Sequence, residues 1–94
     1  MKIREFIWFE DIVEKMQTKH RVSQSEIREV FGNHPRFRFV EKGHRSGENV
    51  YSATGKTYAG RFLIIFFVHK KDMQALILSA RDMTHTERKK HEKK

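Results

Sequence analysis

Two helical segments at the front, an alternating middle and a last helix predict an α+β domain: two N-terminal helices, a four-stranded antiparallel sheet and a C-terminal helix. Three observations carry that reading. Capping boxes, Ser23 with Glu26 and Thr84 with Glu87, mark two helix starts. Beyond Pro35 the apolar period changes from helical to alternating. The connections between Arg36 and Ala80 are mostly short, which favours antiparallel neighbours, since parallel ones need a crossover of about a dozen residues.

Ile3 to Phe9 mixes aromatic, aliphatic and charged side chains, which suits a short first strand or an extended arm. Asp11, with Glu14 three residues on, is placed to cap the first helix. Ile12, Val13, Met16 and His20 then fall on one helical face. In the second helix Val22 and Ile27 form a hydrophobic staple around the Ser23 box, and Ile27, Val30 and Phe31 make the apolar stripe. Gly32, Asn33 and Pro35 stop it. Arg36-Phe37-Arg38-Phe39 alternates as a half-buried strand, and Lys42 to Gly47 is a glycine-flanked loop. Val50 to Thr54 is the next strand, with a turn over Gly55 to Gly60. Phe62 to Val68 is apolar on both faces, as a central strand covered on each side should be. Lys70-Lys71-Asp72 turns the chain into Ala75 to Ala80. Thr84 opens a helix that runs basic to the end. Residues 1–94 form one domain on this reading, with 90–94 fraying.

The composition narrows the function classes. There is no cysteine, hence no disulfide framework, thiolate metal site or thiol nucleophile. The longest apolar run, Phe62 to Val68, is far short of the roughly 20 residues a membrane span needs, and Arg4, Glu5 and Glu10 interrupt any signal-like stretch. The expectation is a soluble, cytoplasmic protein without a membrane partner. The formal charge is +8, and it is unevenly placed. Residues 1–31 are neutral, 32–80 carry +5 and 81–94 carry +3. A polyanion partner accounts for that bias; a basic surface serving only solubility is the plainer account.

Familiar chemical motifs are missing. Gly55-Lys56-Thr57 resembles the end of a phosphate-binding loop, but Val50 stands where its first glycine belongs. His85 and His91, six apart, do not share a helix face, so no helical metal pair exists. What remains is arginine, histidine and one apolar sheet. Arg61 precedes the central strand and Arg81 ends its neighbour. A short turn places Arg81 nearly opposite Phe62 and brings both guanidiniums to one edge, where a phosphate would join them. The alternative is that Arg81 pairs with Asp82, Glu87 or another acid. His20 is either a buried group capping its helix or a proton-transfer group. Lys19, Arg36, Arg38, His44, Arg45 and Lys56, with Tyr51 and Tyr58 to stack on bases, point to single-stranded RNA rather than duplex DNA.

Three stretches carry a resemblance. Ile77-Leu78-Ser79-Ala80-Arg81-Asp82-Met83-Thr84 followed by Glu87-Arg88 resembles the I-S-A-R…T…E-R signature of BrnT-type toxins. Gly60-Arg61 before an apolar strand, and Trp8 followed by Lys19-His20 and Val22, are similar to the same family. The resemblance implies a RelE-like fold and a toxin–antitoxin pair whose toxin cleaves RNA independently of the ribosome, with no metal or other cofactor. It also implies a cognate antitoxin, of ribbon-helix-helix type. It assigns catalysis to His20, Arg61 and Arg81, with Glu87 orienting Arg81, through 2′-hydroxyl attack that leaves a 2′,3′-cyclic phosphate. The sequence departs from the family at Phe9, Ile12, Met16 and Arg21, the last standing in place of a glycine. The competing function is a non-catalytic basic module that binds RNA or DNA or docks a partner. Self-association stays open.

Overall fold

The computed structural model describes residues 1–45 and 47–93, so the expected loop at 42–47 and fraying end at 90–94 each include one residue outside the described set. The helix starts follow local chemistry. In the second helix, α2 (Gln24–Phe31), the Ser23 hydroxyl accepts from the Glu26 N–H and the Glu26 carboxylate accepts from the Ser23 N–H. Val22 and Ile27 beside that box are fully buried. The first helix, α1 (Glu10–His20), begins differently from expectation. Its N-cap is Phe9, no side chain caps it, and Asp11 lies inside the first turn, where it complements the helix dipole instead. At its other end Arg21 adopts a left-handed conformation (φ 53°), the geometry glycine takes most easily.

Among the described residues, five strands form one sheet in the order β1-β5-β4-β3-β2, with β1 Glu5–Ile7, β2 Arg36–Glu41, β3 Val50–Lys56, β4 Phe62–Lys70 and β5 Gln74–Asp82. The expected four-stranded antiparallel sheet therefore gains a fifth strand and becomes mixed. Ile3, Phe6 and Trp8 pack against the core and draw β1 onto the β5 edge, where Glu5 to Ile7 pair parallel with Gln74 to Leu76. The rest of the chain supplies the long crossover that a parallel pair requires. The antiparallel meander β2 to β5 stands as expected, with β4 at the centre.

Helices α1 and α2 cover one face. Met16, Ile27 and Val30 meet Ala53, Leu63, Ile65, Phe67, Ile77 and Ala80 in a single buried cluster. Gly55 passes so close beneath α2 that a β-carbon there would stand 3.0 Å from a Val30 methyl. The last helix, α3 (His85–Glu92), lies over the opposite face and buries none of its own residues. It includes Lys90 and His91. Among the described residues no helix is long and apolar enough to cross a membrane.

Candidate active site

Strands β4 and β5 do not run in simple register. Phe67 opposes Ile77, but Phe66 opposes Ser79, so Leu78 is an extra residue, a β-bulge. The inward alternation therefore jumps from Ile77 to Ala80, both fully buried. Arg81 then projects to the α3 face, and Asp82, its neighbour, to the face of α1 and α2.

The bulge, with the three-residue turn Lys71–Met73, also corrects the expected pairing. Arg81 lies opposite Ile64, not Phe62. The two arginines reach the same end of the sheet on opposite faces, and they do not meet over one site. Each holds its own carboxylate.

Arg61 is positioned by the β3–β4 turn. The Thr57 N–H donates to the Arg61 carbonyl, and the Arg61 N–H donates to the Thr57 hydroxyl. The guanidinium then reaches across to the link between the first two helices. Nε donates to Asp82 (2.7 Å), and one terminal nitrogen donates to the Arg21 carbonyl (2.6 Å) and the Glu26 carboxylate (3.2 Å). The other donates to the His20 carbonyl (2.7 Å) and Asp82 (3.2 Å). A guanidinium has five N–H donors, and here all five are engaged. The hydrogen bonds to Asp82, more than those to Glu26, raise the Arg61 pKa, and the same contact lowers that of Asp82.

Arg81 is bound differently. It grips Glu87 in a fork of 2.8 and 3.0 Å and donates to the Asp82 carbonyl (3.1 Å), with its guanidinium 5.8 Å from the centre of the Phe66 ring. Among the described residues this leaves two of its five donors without an acceptor. Glu87 also receives the Thr84 N–H in the α3 capping box, as Thr84 receives that of Glu87. The Arg81 fork, with the backbone bond adding to it, holds the Glu87 pKa down to about 2.

The other sequence-nominated residues divide between the two ends of the sheet. His20 is exposed at the end of α1, next to Lys19, not buried as a capping group. Its charge is close enough to lower the Asp82 pKa further. Arg36 and Arg38 lie on the α3 face, opposite Thr54 and Ser52. Lys56 sits 5.4 Å from the centre of the Phe62 ring. Tyr58 is exposed in the turn that follows. Tyr51, by contrast, packs against Phe67 on the core face and is not available to a ligand beside the arginines. His44 and Arg45 are in the β2–β3 connection, at the far end of the sheet from Arg61 and Arg81.

Several participants were not foreseen. Glu26, a cap by its spacing from Ser23, also holds Arg61. His91 bonds the Thr54 hydroxyl through Nδ1 at 2.9 Å, in a cavity between α3 and the sheet. The alternation of Arg36 and Arg38 was the signal available for that cavity, since it shows which face the strand turns outward.

The turn that sets Arg61, the end of β5 and the first turn of α3 coincide with the stretches of family resemblance. Residues 8–87 match the family model described as ribonuclease toxin, BrnT, of type II toxin–antitoxin system. The chain belongs to the BrnT family. Among curated proteins, none matches it. BrnT membership makes this a ribonuclease toxin of a type II toxin–antitoxin system, with RNA as its substrate and an antitoxin as its partner. Arg21, which departs from the BrnT pattern, falls at the one position of the α1–α2 link whose backbone favours glycine.

Proposed function

We propose that this BrnT-family toxin, built on a RelE-like fold, cleaves single-stranded RNA without a metal ion and independently of the ribosome. The ribose 2′-hydroxyl attacks the adjacent phosphorus, the bond to the 5′-oxygen breaks, and a 2′,3′-cyclic phosphate and a 5′-hydroxyl result. The observation that carries this reading is the Arg81–Glu87 fork. It fixes the plane of a guanidinium that, among the described residues, still has two N–H donors to offer, which suits charge growing on phosphate oxygens in the transition state. Arg61 acts at one remove, because its five donors hold the α1–α2 link and, through the His20 carbonyl, the end of α1. His20, with Lys19 beside it, would take the proton from the 2′-hydroxyl or return one to the 5′-oxygen. The strand lies across the end of β5, where β1 no longer pairs, so that groups from both faces reach it. A cognate antitoxin of ribbon-helix-helix type neutralises the toxin.

Purified protein incubated with end-labelled RNA in excess chelator should release fragments ending in a cyclic phosphate. Intact RNA after prolonged incubation, with expression tolerated by the host, sinks the proposal. One observation favours a second reading, that both nominated arginines already hold carboxylates. A non-catalytic module of this kind would bind RNA with a log–log salt slope of about −0.7 per contacted phosphate and leave every strand whole.

A further inference from the structure

The cavity between α3 and the sheet is about 180 Å³ and is lined on three sides by donors. Arg36 and Arg38 come from β2, Ser52 and Thr54 from β3, and Lys90 and His91 from α3. Such a volume is below the roughly 300–1,000 Å³ of sites for drug-sized ligands, so it suits one phosphate group and not a whole nucleotide. Ser52 lines it although only 5% of the residue is exposed. Arg36 donates to the Lys93 carbonyl, which ties the end of α3 to the sheet. Among the described residues, no carboxylate forms an ion pair with Arg36, Arg38 or Lys90. The one acid on the wall, Glu87, is matched by Arg81. The cavity is therefore a concave, net cationic recess with two hydroxyls and an imidazole.

We infer that this recess binds a phosphate of the RNA backbone next to the one facing Arg81, with Arg36, Arg38, Lys90 and His91 as its ligands. The inference rests on the ribonuclease reading, since it assigns the recess to a flanking phosphate of the same strand. His91 reports occupancy. Its pKa is lowered, by burial first and then by the positive charges of Arg36 and Lys56, with Glu92 opposing. Lys90 and Glu87 from α3 and Arg38 from β2 also border the space, and Phe62 from β4 meets the ring edge-on. A bound phosphate offsets the cations, so the imidazole gains a proton more readily and binding strengthens as pH falls through its titration.

Nuclear magnetic resonance of the His91 ring in the full chain tests this with two probes. One is inorganic phosphate, and the other is a single-stranded DNA oligonucleotide, which lacks the 2′-hydroxyl and is not cut. Both should shift the His91 signals to saturation and raise its titration midpoint. Arg38→Gln, an exposed edge-strand change, should weaken both effects about tenfold or more, as loss of a charged hydrogen bond does. Lys71→Gln, in the β4–β5 turn, should leave them unchanged. Unmoved His91 signals, or equal loss in the two variants, overturn the proposal. Response to phosphate but not to the oligonucleotide also overturns it, since the recess would then hold free anion only. Cleavage of RNA by wild-type protein is scored separately: cutting with a silent His91 removes the recess and keeps the ribonuclease, and a responsive His91 without cutting does the reverse.

Discussion

Arg61 and Arg81 are the same residue type at the same end of the sheet, each joined to acids, yet they differ in what their contacts leave over. Arg61 binds two carboxylates and two helix-end carbonyls and has no donor uncommitted. Among the described residues, Arg81 binds one carboxylate and one carbonyl and keeps two donors. Proximity to a partner acid therefore does not separate a structural arginine from a functional one. Donor accounting does.

The comparison can be broken by experiment, most strongly at Arg81. Arg81→Ala should slow RNA cleavage about 10²–10³-fold, the range for losing one preorganised donor group. Its urea midpoint should fall little, because a partly exposed ion pair contributes about 0–1 kcal/mol. A variant that cuts RNA normally would move Arg81 into the class of Arg61. Arg61→Ala should show the opposite pattern, destabilising by about 2–3 kcal/mol as charged hydrogen bonds are lost around Asp82 and Glu26. Any remaining folded fraction should still bind RNA. Glu87→Gln should sit between them, with cleavage reduced about tenfold by a looser guanidinium plane.

Acid sharpens the same contrast. The folded pKa of Glu87, about 2, lies below its ordinary value of 4.5, and that of Asp82 is lowered as well. Both groups thus contribute stability above about pH 4.5 that is lost as pH falls toward 2. Denaturant melts across that window should show the loss, and Glu87→Gln should flatten part of it. Smallest of all, Arg21→Gly should stabilise the α1–α2 link by up to about 1 kcal/mol, because φ of 53° suits glycine. Its carbonyl, which Arg61 binds, is unchanged.

What the sequence disclosed was local. The boxes at Ser23 and Thr84 act within four residues, and the Phe62–Val68 run announces its burial by composition alone. What it hid was non-local. Asp11 has the chemistry of a cap, but with Trp8 and Ile12 packed against the core the helix begins at Glu10, with Phe9 as its N-cap. Parallel pairing of β1 joins segments about 70 residues apart, with no turn to signal it. Within the candidate site, the pairing of Arg81 with Glu87 was legible as one option. Which face each side chain takes was not, since a single inserted residue changes the parity of a strand. The recess around His91 needs four separated segments to exist at all.

Strand β5 has a phase as well as a sequence. Before Leu78 its odd-numbered side chains serve the layer of α1 and α2; after it they serve the layer of α3. Consecutive residues can thereby feed two independent ionic assemblies, one holding the scaffold and one open to ligand. Trimming Leu78 would leave that division in place. Adding a residue between Ala80 and Arg81 would exchange the two deliveries, sending a guanidinium to where Arg61 expects an acid.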